Sequence, residues 1–293
     1  MFNEHLRCCK LCPRECGVNR TKKEAGFCRV YDKPVIAAVS VHPWEEPPIS
    51  GSRGSGAIFF SGCTMRCIFC QNYPISQLGV GREISVEELA DAMLRLQDKG
   101  VHNINLVTPT HQIPMFVNAL VQAVERGLSL PVVYNSSGYE RVETLQMLEG
   151  IVDIYLPDIK YAEDQAAWVC SKVRDYVYHN RATLKEMWRQ VGTLKLNREG
   201  IGVRGMLVRH LVLPEDLASS RACLEFLRTE FGPDVWISLM SQYFPAHLAV
   251  NTPPLNRKLT EEEYATAFRA LMEMGFENGF IQDCLDSESF QEI

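Results

Sequence analysis

Six short apolar runs recur along this chain, and helical segments separate them. The first run, Ala57 to Ser61, is almost continuously apolar, which is typical of a strand buried on both faces. Strands that follow one another through single helices pair in parallel, with right-handed crossovers. Six strands are too few to close an eight-stranded barrel, so the pattern predicts an α/β fold, an open partial (β/α)6 TIM-like barrel. The predicted strands cover 57–61, 103–107, 131–135, 152–156, 206–213 and 235–240.

The segments between these strands carry helix signals. Ser85 and Glu88 have the spacing of a capping box, and the helix that they begin ends before Gly100. A second box, Thr260 to Glu263, precedes the last predicted helix. Residues 161–192 are mostly helical by pattern. The other predicted helices cover about 113–126, 142–148 and 219–230.

The N-terminal part of the chain differs in composition from the rest. Residues 1–50 are rich in cysteine and proline and show little apolar periodicity, and a Gly- and Ser-rich turn at 50–56 follows them. We therefore predict two parts: a Cys-rich, metal-binding N-terminal extension over 1–50 and the partial barrel over 51–293.

Three cysteines follow the first predicted strand directly. Cys63, Cys67 and Cys70 have the spacing C-x3-C-x2-C, which places three thiolates on one short loop. Three thiolates can hold three irons of a [4Fe–4S] cluster and leave the fourth iron without a protein ligand. An open coordination position is typical of a site that binds and activates a ligand. The loop should lie at the C-terminal ends of the strands, where such folds gather their reactive groups.

A second group of cysteines indicates another metal site. Cys9, Cys12, Cys16 and Cys28 provide four soft ligands, which select zinc or an iron–sulfur cluster. Both fit; the shortness of a segment that otherwise lacks a core favours structural zinc. Cys8 is adjacent to Cys9 and could substitute for it. The remaining cysteines read as isolated thiols: Cys170, Cys223 and Cys284.

The cluster loop resembles the defining motif of the radical S-adenosylmethionine (radical SAM) superfamily, including the aromatic Phe69 before its last cysteine. Three further segments resemble the glycyl-radical-enzyme activases: 135–138, 158–160 and 208–214. Residues 9–17 and 45–50 look like one branch of that group, the pyruvate formate-lyase-activating-enzyme-like proteins.

The resemblance implies a reaction. The open iron of the [4Fe–4S] cluster would chelate the amino and carboxylate groups of S-adenosyl-L-methionine (SAM), and reductive cleavage of SAM would give a 5′-deoxyadenosyl radical that abstracts hydrogen from the substrate. The substrate is a small molecule or a protein, with a glycyl-radical enzyme as one candidate. A flavodoxin- or ferredoxin-like reductant is the second implied partner. The alternative is a non-catalytic iron–sulfur protein for electron transfer or redox sensing.

The resemblance also implies cofactor-binding positions after the second strand. In the activases a Gly-Gly-Glu-Pro turn receives the amino group of SAM, whereas residues 107–111 here read Val-Thr-Pro-Thr-His and contain no acidic residue. We expect carbonyls around Thr108 and the hydroxyl of Thr110 to accept the ammonium hydrogens instead.

Further implied cofactor residues follow the later strands. Asn135 and Ser136 stand where the activases have an Asp-Thr pair, and Asp158 and Lys160 match an Asp-x-Lys pattern. Alternation along a strand points Asp158 and Lys160 to the same side. The resemblance places His210 near the ribose or carboxylate of SAM.

Composition limits the remaining function classes. The formal charge of −6 gives no general attraction to nucleic acid. Residues 1–9 lack the apolar stretch of a secretory signal, and no uncharged segment reads as a membrane span. Eleven cysteines form an odd count and cluster at metal-type spacings, which predicts reduced thiols and a cytoplasmic protein.

Overall fold

The computed structural model describes residues 2–282 and 289–293. Its strands join into one sheet with the order β11-β10-β9-β8-β6-β5-β4-β2-β1-β3, and β7 pairs with β8 at the side. The strands are β1 Val35–His42, β2 Ser55–Phe60, β3 Arg82–Glu83, β4 Ile104–Val107, β5 Val132–Ser136, β6 Ile154–Pro157, β7 Lys195–Leu196, β8 Gly202–Leu211, β9 Trp236–Met240, β10 Gly279–Gln282 and β11 Phe290–Glu292.

The centre of the sheet is parallel. Strands β2, β4, β5, β6, β8 and β9 pair in parallel in this order, and they correspond to the six predicted strands. A seventh parallel strand, β10, extends the sheet beyond β9; the sequence analysis did not identify it. On the other side β1, also not identified, pairs antiparallel with β2.

Helices connect the parallel strands. The capping box is present at Ser85, whose hydroxyl accepts the N–H of Glu88 at 3.0 Å, and a second one forms at Thr260. The segment 161–192, predicted to be mostly helical, contains two helices. The helices are α1 Pro47–Ser50, α2 Tyr73–Ser76, α3 Val86–Asp98, α4 Ile113–Glu125, α5 Val142–Gln146, α6 Asp164–Ser171, α7 Tyr176–Val191, α8 Ser220–Phe231 and α9 Glu261–Glu273.

The two faces of the sheet have different cores. The outer face packs against α3, α4, α7, α8 and α9 through a large apolar cluster that includes Phe60, Tyr134 and Val208. The inner face holds a smaller cluster without residues of these helices: Ile49, Val133, Ile154, Leu156, Leu194, Leu207, Trp236 and Phe280. Helices on one face of a parallel sheet are the arrangement of a barrel rather than a doubly wound sheet. The predicted partial-barrel fold is therefore confirmed.

The end of the predicted N-terminal extension belongs to the barrel. β1 pairs with β2 over six residue positions, and Ile49 is completely buried in the inner cluster. The boundary predicted at residue 50 thus falls within the sheet and its core, and the cysteine-rich segment proper ends before Val35.

Two of the isolated cysteines lie in helices. Cys170 and Cys223 are buried in α6 and α8, whereas Cys284 lies outside the described residues. Over 2–282 and 289–293 no helix is both long enough and apolar enough to cross a membrane.

Candidate cluster and cofactor site

The cluster loop follows β2, and each of its three cysteine sulfurs has a polar neighbour. The N–H of Met65 donates to Cys63 Sγ at 3.3 Å, and the hydroxyl of Ser171 donates to Cys67 Sγ at 3.0 Å. The sulfur of Cys70 lies 3.2 Å from Ser76 Oγ. Donors of this kind stabilise sulfurs that carry negative charge in an iron–sulfur cluster.

Backbone contacts fix the position of this loop. The N–H of Ile68 donates to the carbonyl of Cys170 at 2.8 Å, and the carbonyl of Ile68 accepts from Ala249 at 2.9 Å. Phe69 is buried and packs edge-on against Tyr243, with 5.8 Å between the ring centroids. The loop is thus held between the end of α6 and the segment after β9.

Burial controls the protonation of the thiols. It raises the pKa of Cys63 to about 12, with a further contribution from Cys67. Burial likewise raises the pKa of Cys67 to about 11, although the Lys160 ammonium opposes it. Without bound metal these thiols therefore stay protonated at neutral pH, and metal binding must displace their protons.

The geometry of the thiols bears on the kind of metal centre. Among the residues that the structure describes, no three His, Cys, Asp or Glu side chains form a group that could hold a single metal ion. Thiolates that share a cluster bond to separate irons, so they need not converge on one point. The donor set, three thiols with hydrogen-bond partners, fits such a cluster.

An opening lies at the C-terminal end of the inner face. Phe59, Val107 and Asn135 stand in one row across β2, β4 and β5, and all three are partly accessible. The residues next to them in the strands point outward and are buried: Phe60, Leu106, Tyr134 and Ser136. At this end of the sheet the inward-facing residues are partly accessible and the outward-facing residues are buried. The inner face therefore opens to solvent on the side of the cluster loop. Further partly accessible residues continue this mouth across β6 and β8: Asp158, Arg209 and Leu211.

The predicted pair Asp158 and Lys160 lies at this mouth. Lys160 Nζ is 2.5 Å from Asp158 Oδ2, and about a fifth of each side chain is exposed, 17% and 20%. Burial alone would lower the pKa of Lys160, but the Asp158 carboxylate and the Cys67 sulfur raise it above its usual value. A lysine so placed stays charged beside the cysteine loop.

An acidic residue that the sequence pattern did not indicate lies against the turn after β4. Thr108 has a φ of 58° and is partly accessible, whereas Thr110 is buried and donates to Glu140 Oε1 at 2.7 Å. Tyr134 donates to the other oxygen at 3.3 Å. Burial raises the pKa of Glu140 to about 7. A carboxyl group therefore lies behind the turn, brought there from 30 residues downstream.

Two other predicted cofactor residues lie on the outer face instead. The buried Ser136 accepts the N–H of Gly138 at 3.2 Å. His210 is completely buried; its Nδ1 lies 2.7 Å from the carbonyl oxygen of Ile159 and its Nε2 lies 2.9 Å from Ser220 Oγ. Burial lowers the pKa of His210 to about 4. Both ring nitrogens of His210 thus have protein partners under α8, and the contact with SAM stays a prediction that this arrangement does not favour.

A buried ion cluster, also missed in the sequence, crosses the inner face. Arg209 donates to Glu46 from Nε at 2.8 Å and from Nη2 at 2.6 Å, and it also contacts Glu45. Asn105 donates to Glu45 at 2.9 Å. Burial alone would raise the pKa of Glu46, but the Arg209 guanidinium holds it below its usual value. The cluster fastens the segment before α1 to β8.

The second group of cysteines surrounds a small cavity next to the cluster loop. Cys9, Cys12, Cys16 and Cys28 all line it, whereas Cys8 is exposed and is not one of the lining residues. Burial raises the pKa of Cys12 and Cys28 above the usual value of a thiol. Topology thus brings together the four cysteines that the sequence selected.

The segments that carry the two groups of cysteines contact each other. Arg14 Nε donates to the carbonyl of Thr64 at 3.0 Å. Gly62 has a φ of +84°, and a Cβ atom there would lie 2.6 Å from the carbonyl oxygen of Cys28. Only glycine allows both that conformation and that close approach.

Comparisons with known proteins agree with this arrangement. The model of the Radical SAM superfamily matches residues 57–222. The chain is 31% identical to the uncharacterized protein MJ0674 of Methanocaldococcus jannaschii over 269 residues, which cover 88% of this chain and 72% of that protein. A second protein of that organism, MJ0808, is 27% identical over 84% of this chain and 73% of its own length.

Solved structures share the fold at low sequence identity. The structure of TYW1 with a lysine-pyruvate adduct bound aligns with a TM-score of 0.50 and 10% identity, over 85% of this chain and 87% of that one. HydG, a maturase of the [FeFe]-hydrogenase, aligns with a TM-score of 0.50 and 12% identity over 74% of this chain. The aligned part is only 48% of the HydG chain. With the family match over more than half of its length, the chain belongs to the radical SAM superfamily.

Proposed function

We propose that Cys63, Cys67 and Cys70 hold the [4Fe–4S] cluster that family membership implies, and that the chain uses it to cleave SAM reductively and to abstract hydrogen from a substrate at the inner-face mouth. Cys63, Cys67 and Cys70 would hold the cluster, which would supply the electron that breaks a sulfonium C–S bond of SAM. Methionine would leave, and the 5′-deoxyadenosyl group would take the hydrogen from the substrate. One observation carries the proposal: three thiols with polar partners lie beside a partly accessible mouth of the barrel.

The side chains at the mouth suit a zwitterionic cofactor. Lys160 stays protonated beside Cys67, and the proposal assigns it to the carboxylate of SAM. Asn135 offers an amide from the same face. Carbonyl oxygens around Thr108, whose left-handed backbone turns the chain away from β4, can accept from the ammonium group.

The buried side chains contribute indirectly. Thr110 and Ser136 bond to the protein from the outer side, so we assign them to the shape of the turns rather than to contact with SAM. Phe69 is assigned to packing, because it fixes the loop against Tyr243. Exclusion of water around the reacting group is the remaining task of these residues.

The relationship to the pyruvate formate-lyase-activating-enzyme-like branch remains part of the proposal. It rests on the segments at 9–17 and 45–50, beside the activase-like segments at 135–138, 158–160 and 208–214. The turn at 107–111 departs from the activase pattern, which favours a small-molecule or peptide substrate over the glycine of a partner enzyme. A flavodoxin- or ferredoxin-like reductant is proposed as the electron source.

Anaerobic reconstitution tests this function. With dithionite and SAM, the full chain should release 5′-deoxyadenosine, and Cys67→Ala should abolish the release and lose about four irons, the content of one cubane. Cys8→Ala is the matched control, because Cys8 is exposed and belongs to neither group of ligands. A cluster that is reduced but never yields 5′-deoxyadenosine would favour an electron-transfer protein.

Lys160→Met tests the cofactor site separately. The expected result is weaker binding of SAM to the reconstituted protein with an unchanged iron content, because Lys160 contacts Asp158 and is not a cluster ligand. Lys185→Met is the control, since this lysine pairs with Glu230 on the surface. Equal SAM affinity of both variants would remove Lys160 from the site.

A further inference from the structure

The four-cysteine cavity contains more hydrogen-bonding capacity than its thiols use. Cys16 Sγ accepts one backbone N–H, from Phe27 at 3.4 Å, and Cys9 Sγ lies 3.9 Å from Arg20 Nη1. Besides the cysteines, the lining includes Arg20, Thr64 and His111. All three side chains are almost completely buried, with 1%, 1% and 2% of their surface exposed.

Two nitrogens of the Arg20 guanidinium group donate to backbone carbonyls, and the third nitrogen has no partner. Its Nε donates to the carbonyl of Tyr31 at 2.8 Å, and its Nη1 donates to the carbonyl of His111 at 2.7 Å. Its Nη2 has no hydrogen-bond partner in the structure. A buried donor of a charged group without an acceptor is costly, so this cavity suits a ligand that brings an acceptor for Arg20 Nη2.

Thr64 presents a second unpaired group in the same cavity. Its hydroxyl is buried and has no partner, and it sits one residue after Cys63 in the cluster loop. His111 differs, because its Nε2 lies 2.7 Å from the carbonyl oxygen of Ser61 and donates to it. The unpaired Nδ1 of His111 is therefore a lone pair and adds no donor.

We propose that the four-cysteine cavity binds an iron–sulfur cluster and that Arg20 Nη2 and Thr64 Oγ1 donate hydrogen bonds to its sulfur atoms. A zinc ion in this cavity would bring no acceptor beyond the four thiolates, whereas an iron–sulfur cluster adds inorganic sulfides. Unpaired donors in the wall therefore fit the cluster better than the structural zinc that the length of the segment favours. This proposal is independent of SAM cleavage.

Electrostatics supports an anionic centre at this place. Arg14 lies over the ring of Phe27 at 3.8 Å, and Arg66 lies over the same ring at 4.5 Å. Arg14 and Arg66 thus lie against Phe27, the residue before Cys28, and both Arg14 and Arg20 line the cavity. Positive charge and hydrogen bonds to sulfur favour the reduced, more negative state of such a cluster and raise its reduction potential.

The first test isolates the second site in the full chain. The variant in which Cys63, Cys67 and Cys70 are all replaced by Ala keeps only the four-cysteine group. After anaerobic reconstitution with iron, sulfide and zinc together, we expect about four irons and four acid-labile sulfides per chain, as for one cubane, and an electron paramagnetic resonance signal after reduction. Zinc without acid-labile sulfide, or no bound metal, would overturn the proposal.

The second test addresses the two donors in the same background. Thr64→Val removes a hydroxyl that has no protein partner, so the metal-free protein should keep its thermal stability while the reduction potential of the cluster becomes more negative. Arg20→Met should shift the potential further, and Arg20→Lys should restore part of the shift. Thr266→Val, on the exposed side of α9, is the control. Potentials unchanged in both Thr64→Val and Arg20→Met would disprove the assigned donors.

Discussion

The hydroxyl of Ser171 lies 3.0 Å from the sulfur of Cys67, although 104 residues separate the two in the chain. Ser171 ends α6, and its hydroxyl also lies 2.6 Å from Tyr161 Oη. The carbonyl of Ser171 accepts the N–H of Arg66 at 3.1 Å. One residue of α6 thus sets both the position of the cluster loop and the polarity around one of its sulfurs.

Replacing this serine should change the proposed cluster without removing it. In Ser171→Ala, Cys67 loses a donor, so we expect the same iron content and a more negative reduction potential. The measurement is a redox titration of the signal that SAM perturbs, with Ser129→Ala as a surface control. An unchanged potential would mean that the hydrogen bond has no electronic effect on the cluster.

His210 should stabilise the fold and not the cofactor. Replacing it with Ala leaves the buried Ile159 carbonyl and Ser220 hydroxyl without their partners, which should lower the free energy of unfolding by about 2–4 kcal/mol. SAM affinity of the reconstituted protein should stay the same. Urea denaturation and SAM titration separate the two effects, and a large loss of SAM affinity at unchanged stability would restore the original sequence prediction.

The pKa of Glu140 predicts a pH dependence of stability. Burial raises the pKa of this carboxyl group from 4.5 to about 7, so the folded state prefers its neutral form. The contribution of Glu140 to stability is then largest below pH 4.5, falls by about 3 kcal/mol as the pH rises to 7, and changes little above that value.

Glu140→Gln should remove this dependence, because an amide keeps hydrogen-bonding groups near Thr110 and Tyr134 without titrating. We expect the variant to gain stability relative to the parent at pH 8 and not at pH 4.5. Urea denaturation between these values measures it, and the exposed Glu87→Gln is the control. Parallel pH profiles of parent and Glu140→Gln would show that folding leaves the pKa of Glu140 unchanged.

The sequence was sufficient for the elements that carry a strong local pattern. The apolar run before Cys63 located the end of β2, and the end of a parallel strand determined that the cysteine loop lies at the C-terminal rim. The spacing of Cys9, Cys12, Cys16 and Cys28 selected the residues that line one cavity. These inferences depend on short segments of chain and on general rules of sheet topology.

The sequence could not predict features that depend on long-range contacts or on which face of the sheet a strand residue points to. β10 has only four residues, and its pairing with β9 is not visible locally. Alternation puts Arg209 and His210 on opposite faces, but which of them points inward depends on the register and packing of β8. The partners Glu140 and Ser171 come from helical or loop segments far from Thr110 and Cys67 in the chain.

The ion cluster of the inner face gives the last prediction. Glu46 is almost completely buried, with 1% of its side chain exposed, and Arg209 has 13% exposed. Removing one member of a buried pair leaves an uncompensated charge, so Arg209→Met should cost about 3–5 kcal/mol of unfolding free energy. Glu46→Gln alone should also destabilise the fold, because Arg209 loses a partner that accepts two of its hydrogen bonds.

The double variant distinguishes a coupled pair from two independent contributions. Because each single change leaves the partner charge behind, the loss in Arg209→Met with Glu46→Gln should be clearly smaller than the sum of the single losses. Urea denaturation at one pH gives the free energy of unfolding of the two single variants and of the double variant. Arg204→Met, on the exposed start of β8, is the control. Additive losses would show that Arg209 and Glu46 stabilise the segment before α1 separately, with Glu45 and Asn105 able to replace the missing partner.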